Sequence, residues 1–181
     1  MFATRSFVRI SSHGVLLAAA GMLAGGRTVS AHSPGLAGPP WISIETPVNP
    51  YDASTKDAFL LVHAFHHGSP VAVPVTGSAE GMVNGERKSV ALQFTATSRP
   101  GAFALKKQWG DSGIWTLVIT VHQHESDVAQ ALVDIGADGE VSRVQVPTRV
   151  GERDFKFPRQ ITTQEVDQSL RQRARPSVST R

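Results

Sequence analysis

The chain has 181 residues, with 18 Lys and Arg against 15 Asp and Glu, no Cys and a formal net charge of +3. The absence of Cys excludes a disulfide framework, a thiolate metal site, a cysteine nucleophile and a lipid-anchored cysteine. Residues 1–31 carry three of the basic residues (Arg5, Arg9, Arg27) and no acidic residue, so the other 150 residues are formally neutral. The charge therefore gives no reason to expect a nucleic-acid partner.

Residues 1–31 have the three parts of a signal peptide. Two arginines precede an apolar run from Val15 to Gly26, and Val29-Ser30-Ala31 offers small residues for cleavage. A membrane-spanning helix needs about 20 residues, and this apolar run is shorter. An uncleaved membrane anchor is the alternative interpretation. We therefore predict a periplasmic or secreted protein that begins at His32, with no stable membrane insertion after the signal is removed.

The next segment, residues 32–40, is rich in Pro and Gly and is predicted to be a flexible lead-in. Short apolar runs separated by turn signals follow as far as residue 149. Asn84-Gly85 is a strong hairpin signal, and Trp115–His122 alternates apolar and polar residues. The predicted strands, in chain order, are Trp41–Thr46, Ala58–His66, Val71–Gly77, Ala79–Val83, Glu86–Thr95, Ala102–Gln108, Trp115–His122, Ala129–Ile135 and Val141–Val146. Pro74 demotes Val71–Gly77 towards an edge strand or a bulge. Residues 41–149 are thus predicted to form an all-β domain, an immunoglobulin-like β-sandwich of about 7–8 strands.

The last segment, residues 150–181, has seven basic and four acidic residues and few large apolar ones. Thr162 and Glu165 have the spacing of a capping box, and Val166 and Leu170 lie one helical turn apart. Because this apolar stripe is narrow, we predict a mostly disordered basic tail. A short helix that ends near Ala174 and docks on the domain is the alternative.

The run Pro100–Leu105, followed by Gly113 and Trp115–Val121, resembles the late strands of YtkA-like and FixH-like exported domains. The likeness covers about Ala58–Val121 and implies an exported immunoglobulin-like sandwich. A mature chain that starts with His also resembles the CopC-like periplasmic copper carriers. That likeness implies that the amine and imidazole of His32 bind Cu(II), although the Asp-x-His segment of that family has no counterpart here.

Histidines are the most informative polar residues of the predicted mature chain. If Ala58–His66 and Trp115–His122 are strands B and F of the sandwich, the loops that follow them share one end, and the N-terminus lies there too. His63 is expected to be a hydrogen-bonded structural residue. The predicted metal ligands are His32, His66, His67, His122 and His124. Ordinary solvent-exposed histidines are the alternative interpretation of this set.

The available donor atoms narrow the choice of metal. Imidazole suits Cu(II) and Zn(II), whereas a Cu(I) site would need thiolates or thioethers, and Met82 is the only Met after residue 31. We therefore predict Cu(II) first and zinc second. No nucleophile elbow, phosphate loop or zinc-protease motif is present, so an enzyme is not expected. The predicted function is an exported, non-enzymatic binding or accessory module. The alternative is a structural or interaction domain that binds another envelope protein without a metal.

Overall fold

The computed structural model describes residues 38–174. The predicted signal peptide, His32 and residues 175–181 lie outside the described residues. Within residues 38–174 the chain forms twelve strands, one α-helix and a short 3₁₀-helix at Glu152–Asp154. The strands are β1 (Trp41–Glu45), β2 (Leu60–His66), β3 (Ser69–Pro70), β4 (Val75–Val83), β5 (Glu86–Ala91), β6 (Phe94–Ala96), β7 (Ala102–Leu105), β8 (Ile114–His122), β9 (Val128–Ile135), β10 (Val141–Gln145), β11 (Thr148–Val150) and β12 (Lys156–Pro158). The helix is α1 (Thr163–Ala174).

The strands pair in antiparallel fashion into two five-stranded sheets and a two-stranded hairpin. The first sheet has the order β1-β2-β7-β6, with β3 paired to β2, and the second has the order β10-β9-β8-β4-β5. These orders correspond to strands A-B-E-D of an immunoglobulin-type sandwich in one sheet and G-F-C-C′, extended by β10, in the other. The predicted all-β sandwich is confirmed, and β2 and β8 occupy positions B and F.

The core lies between the two sheets. The inward-facing apolar residues of β8 illustrate how it forms. Trp115, Leu117, Ile119 and Val121 face inward and are buried, as their alternation with polar residues predicts. The β4–β5 hairpin closes through Asn84-Gly85, where both residues have positive φ values of 51° and 81°. Two residues in the left-handed region make the type of turn that Asn-Gly favours.

The strand count differs from the predicted 7–8 because four of the twelve strands have only two or three residues (β3, β6, β11 and β12). Such strands are too short for a visible alternation. In addition, the segment predicted as one strand, Glu86–Thr95, is divided into β5 and β6, which lie in different sheets. The chain crosses between the sheets at buried Leu92, and the side chain of Gln108 hydrogen-bonds the backbone N–H and C=O of Gln93 at 2.9 and 2.8 Å.

The prediction of a mostly disordered tail is wrong for the described part of that segment. The β11–β12 hairpin spans the predicted domain boundary at residue 149, and α1 packs on the outer face of the second sheet. Val166 and Leu170 are buried against Leu132, with Ile114 and Val118 beside them. No helix among residues 38–174 is both long and apolar enough to cross a membrane.

Polar contacts beneath α1 explain why a narrow apolar stripe is enough to hold it. Asp134 is buried in β9, and its carboxylate accepts hydrogen bonds from Ser169 Oγ at 2.5 Å and Thr116 Oγ1 at 3.0 Å. The guanidinium of Arg173 donates to the carbonyl oxygens of Trp115 and Ile135 at 2.9 and 2.8 Å. It also lies 3.4 Å from the Asp134 carboxylate, so the buried charge has a cation beside it.

The predicted capping box is present at the start of α1. Thr162 Oγ1 accepts from the backbone N–H of Glu165 at 3.2 Å, and Glu165 Oε2 accepts from the N–H of Thr162 at 2.9 Å. The two terminal nitrogens of the Arg159 guanidinium also donate to the Glu165 carboxylate, at 2.7 and 2.9 Å.

Glu165 should make the stability of the protein depend on pH. The hydrogen bonds from Arg159, followed by the backbone N–H of Thr162, lower the pKa of Glu165 from 4.5 to about 2. A lowered pKa in the folded state stabilises the protein above the unfolded pKa, and this stabilisation is lost as the pH falls from 4.5 to about 2. Urea unfolding should therefore find Glu165→Gln less stable than the unchanged protein at neutral pH, with the difference vanishing near pH 2. A difference that is constant with pH would contradict this assignment.

Candidate functional site

One end of the sandwich gathers the chain segments that carry the histidines. The connection from β2 to β4 begins after His66 and ends at Val75, which lies opposite Val121 near the end of β8. The backbone N–H of His122 donates to Pro74 O at 3.0 Å in this connection. The connection that follows β2 therefore contacts the end of β8 at Pro74, and the predicted convergence of the four histidines stays a prediction. We call this region, residues 38–40, 67–74 and 123–127, the loop end.

At the loop end, the neighbouring side chains of His66 and His67 lie side by side. On an ideal strand they would point to opposite faces. Here His67 has a φ of 49° and Gly68 a φ of 80°, so the strand alternation stops at His66. The two imidazole ring centroids are 4.1 Å apart, with the rings nearly perpendicular at 86°. The backbone turn thus produces a pair of nitrogen heterocycles that the strand pattern alone would have separated.

This pair lines a cleft of about 350 Å³. The side chains that define it, which we call the histidine cleft, are Trp41, His66, His67, Phe155, Lys156 and Phe157. Gly38 and Pro39, the first described residues of the chain, also line it. His66 is buried and His67 is exposed, so the cleft has an inner and an outer histidine.

Aromatic rings supply the walls of the histidine cleft. Trp41 lies opposite Phe65 at the start of β1 and is 39% exposed, and Phe155 is 62% exposed at the tip of the β11–β12 hairpin. The Phe157 ring packs against Gly151, where a Cβ would collide with it, and the guanidinium of Arg149 lies 5.5 Å from the ring centroid. The cleft therefore combines two imidazoles and the cationic side chain of Lys156 with three aromatic residues.

The other predicted pair, His122 and His124, lines a different cleft. That cleft measures about 380 Å³ and shares no lining residue with the histidine cleft. His122 Nε2 is 2.7 Å from Thr76 Oγ1, and His124 is exposed. Among residues 38–174, no three His, Asp or Glu side chains are close enough together to hold a metal ion. The structure thus pairs His66 with His67, and the five-histidine site with His32 stays a prediction.

His63 has the hydrogen bond that the sequence predicted for it. Its Nε2 is 2.8 Å from Glu45 Oε2, which also accepts from Arg99 Nη1 at 3.3 Å. Partial burial favours a higher pKa for Glu45, but the hydrogen bonds from His63 and Arg99 outweigh it and hold the pKa below its usual value. His63 therefore lies on the outer face of the first sheet, in an ionic cluster away from the histidine pair.

The sequence interpretation missed the aromatic wall of the cleft. Phe155 and Phe157 belong to the segment that was predicted to be disordered, although the alternation Phe-Lys-Phe is a short strand signal. Trp109 is buried, and its ring meets Phe59 edge-on at 5.0 Å.

No family model, curated protein or solved structure matches this chain. The resemblance to YtkA-like, FixH-like and CopC-like proteins stays a prediction.

Proposed function

We propose that this protein is an exported, non-enzymatic binding module that holds a transition-metal ion in the histidine cleft, with Cu(II) as the first choice and zinc as the second. The observation that carries this proposal is the 4.1 Å separation of the His66 and His67 rings, created by the left-handed turn at His67. Imidazole nitrogen is a ligand that suits both metals. The predicted signal peptide supports a periplasmic or secreted location.

The choice of Cu(II) over Cu(I) follows from the donors that the chain can offer. Cu(I) prefers sulfur, but the sequence has no Cys, and its only Met after residue 31 is Met82. Met82 lies opposite Ile114, the first residue of β8, whereas His122 is the last residue of that strand. Met82 is therefore remote from the loop end, where the described residues offer imidazole nitrogens and the carboxylates of Glu125 and Asp127.

His32 is the predicted additional ligand. Cleavage after Ala31 would create a terminal amine beside its imidazole, and both are nitrogen donors that suit Cu(II).

Cu(II) binding at this cleft should be visible in the tryptophan fluorescence. Bound Cu(II) quenches indoles at short range, and Trp41 lines the cleft whereas Trp109 and Trp115 are buried in the core. We expect saturable quenching at pH 7.5, lost when the pH falls well below the usual His pKa of about 6.5, because the ligating imidazoles must be neutral. His66→Ala and His67→Ala should each weaken the binding, and Trp41→Phe should remove most of the signal.

Matched histidine variants act as controls for this titration. His63→Ala, which removes the hydrogen bond to Glu45, should leave Cu(II) affinity unchanged. The double variant His122→Ala, His124→Ala tests the shared five-histidine site, which requires a loss of affinity. Undiminished quenching in the His66→Ala, His67→Ala double variant would contradict the proposed function.

A second candidate function is a docking domain for another envelope protein, with no metal. The observation that favours it is the exposure of two large apolar side chains on the β11–β12 hairpin, Val150 at 65% and Phe155 at 62%. Such side chains are typical of protein contact surfaces. Failure of Cu(II) binding, together with capture of one defined envelope protein that is lost in Phe155→Ala, would favour this candidate.

A further inference from the structure

A groove lies between α1 and β10 on the outer face of the second sheet. Two adjoining clefts of about 290 and 280 Å³ form it, and both are lined by Leu132, Gln145 and Glu165. Because they share these three residues, the two clefts are continuous. The result is one groove whose sides come from the helix and from the edge strand of the sheet.

The contacts of α1 with β9 set the direction of this groove. The backbone N–H of Ile161, just before the helix, donates to Gln130 Oε1 near the start of β9 at 2.5 Å. Ser169 Oγ, further along the helix, donates to Asp134 near the end of β9. α1 therefore runs in the same direction as β9. Because β10 pairs with β9 in antiparallel fashion, α1 and β10 extend side by side and the groove follows the strand direction.

Two rows of exposed side chains border the groove with nearly the same spacing. Gln168 and Gln172 lie one turn apart on α1, and four helical residues rise about 6 Å. Arg143 and Gln145 lie on one face of β10, and two strand residues rise about 6.8 Å. An extended peptide also repeats every two residues, at about 6.8 Å. A chain lying along the groove therefore meets one side chain of each row in every repeat.

The glutamines of these rows offer what a peptide backbone requires. A primary amide carries a donor and an acceptor, the same pair of groups as a peptide unit. Gln168 and Gln172 on one side and Gln145 on the other can therefore hydrogen-bond the N–H and C=O groups of an extended chain. Sugars are more often bound by stacking on aromatic rings, and the described residues that line the groove include none.

The charges of the groove favour an acidic ligand. Three charged residues line it, Arg143, Arg159 and Glu165, so two arginines and one glutamate give a net charge of +1. Arg159 and Glu165 neutralise each other through hydrogen bonds of 2.7 and 2.9 Å. The excess positive charge therefore belongs to the exposed guanidinium of Arg143, which a carboxylate of the ligand would complement.

From these observations we propose that the groove binds an extended peptide segment of another protein, one that carries an acidic side chain for Arg143. Gln168 and Gln172 hold the peptide backbone from the helix side, and Gln145 holds it from the strand side. The inference goes beyond the proposed function, because no groove residue lines the histidine cleft and no metal takes part.

The test selects ligands from a phage-displayed library of random peptides on the protein purified after export. The peptides have about nine residues, which span about 30 Å when extended. We expect the enriched sequences to share an acidic residue. A fluorescein-labelled copy of the most enriched peptide is then titrated with the protein, and fluorescence anisotropy reports the affinity. Replacing its acidic residue by the corresponding amide should weaken binding by about twofold to fivefold, the effect of one exposed ion pair.

Variants of the protein locate the bound peptide. Arg143→Gln should weaken binding by the same factor and cause no further loss for the amide peptide, since the ion pair is then already broken. The double variant Gln168→Ala, Gln172→Ala should weaken binding about tenfold, because two hydrogen bonds are lost. Gln164→Ala and Arg171→Gln are the matched controls, at exposed positions of the same helix that do not line the groove, and should bind like the unchanged protein.

The outcomes separate this inference from its alternatives. If no peptide is enriched, or if the enriched peptide binds the Gln168→Ala, Gln172→Ala variant undiminished, the inference is overturned. An array of bacterial surface oligosaccharides is probed in parallel, and a sugar that binds while no peptide does, and is lost in the same variant, overturns it in favour of a glycan. The His66→Ala, His67→Ala variant should bind the peptide normally, so failure of Cu(II) binding and failure of peptide binding are distinct results.

Discussion

Replacing Trp115 by alanine is expected to lower the free energy of unfolding by about 3–5 kcal/mol, the range for deleting a large core aromatic side chain. Trp115 is only 5% exposed, and its Nε1–H donates to Ser112 O at 2.8 Å. Its ring also packs directly over Gly81 of the neighbouring strand, where a Cβ would collide with it. The Gly81 backbone beneath the ring has no side chain that could fill the cavity, so the loss should be near the upper part of that range.

Urea unfolding followed by circular dichroism measures this change. Trp41→Ala is the matched control, since the same side chain is removed from a position that is 39% exposed, and its effect should be much smaller. A loss below about 1 kcal/mol for Trp115→Ala would mean that this residue is not part of a packed core.

The second large effect is expected for Leu170→Ala in α1, with a loss of about 2–5 kcal/mol. Leu170 is buried under the helix, where it packs with Val166 against Leu132 of β9. Removing its side chain leaves a cavity between the helix and the sheet. The polar contacts of Ser169 and Arg173 with Asp134 hold the helix in place, so the cavity should not close fully.

The same unfolding experiment measures this loss, with Arg171→Ala as the control. Arg171 is exposed on the same helix, and its replacement should change stability by less than about 0.5 kcal/mol. Equal stabilities for the two variants would indicate that α1 does not pack on the sheet in solution.

Much of the sandwich can be predicted from local patterns. The alternation in β8 and the Asn84-Gly85 turn are each encoded within a few residues, and both predictions agree with the structure. The split of residues 86–95 into β5 and β6 could not be predicted in that way. It depends on the side chain of Gln108, which lies 15 residues from Gln93 and pairs with its backbone where the chain changes sheets.

The docked helix shows a different limit of local patterns. Val166 and Leu170 form a stripe that is narrow when judged alone, and Thr162 with Glu165 indicates only where a helix begins. The decisive partner is Asp134, which is 35 residues away from Ser169 and buried in a strand between two apolar residues. A charged residue in an apolar strand signals a buried polar partner, but the sequence does not say which residue provides it.

The candidate site combines predictable and unpredictable parts in the same way. Strand order places the loops after β2 and β8 at one end, as predicted. The pairing of His66 with His67 depends on the positive φ of His67, a conformation that is uncommon for residues other than glycine. The aromatic walls come from Phe155 and Phe157, about 90 residues further along the chain, and only the folded hairpin brings them to the histidines.

The central claim, that His66 and His67 together bind Cu(II), is tested most directly by electron paramagnetic resonance of the protein loaded with one equivalent of Cu(II). Pulsed measurements count the imidazoles bound to the metal. The account predicts that His66→Ala and His67→Ala each remove one coordinated imidazole, while His63→Ala leaves the spectrum unchanged. A spectrum that stays the same in the His66→Ala, His67→Ala double variant would contradict it.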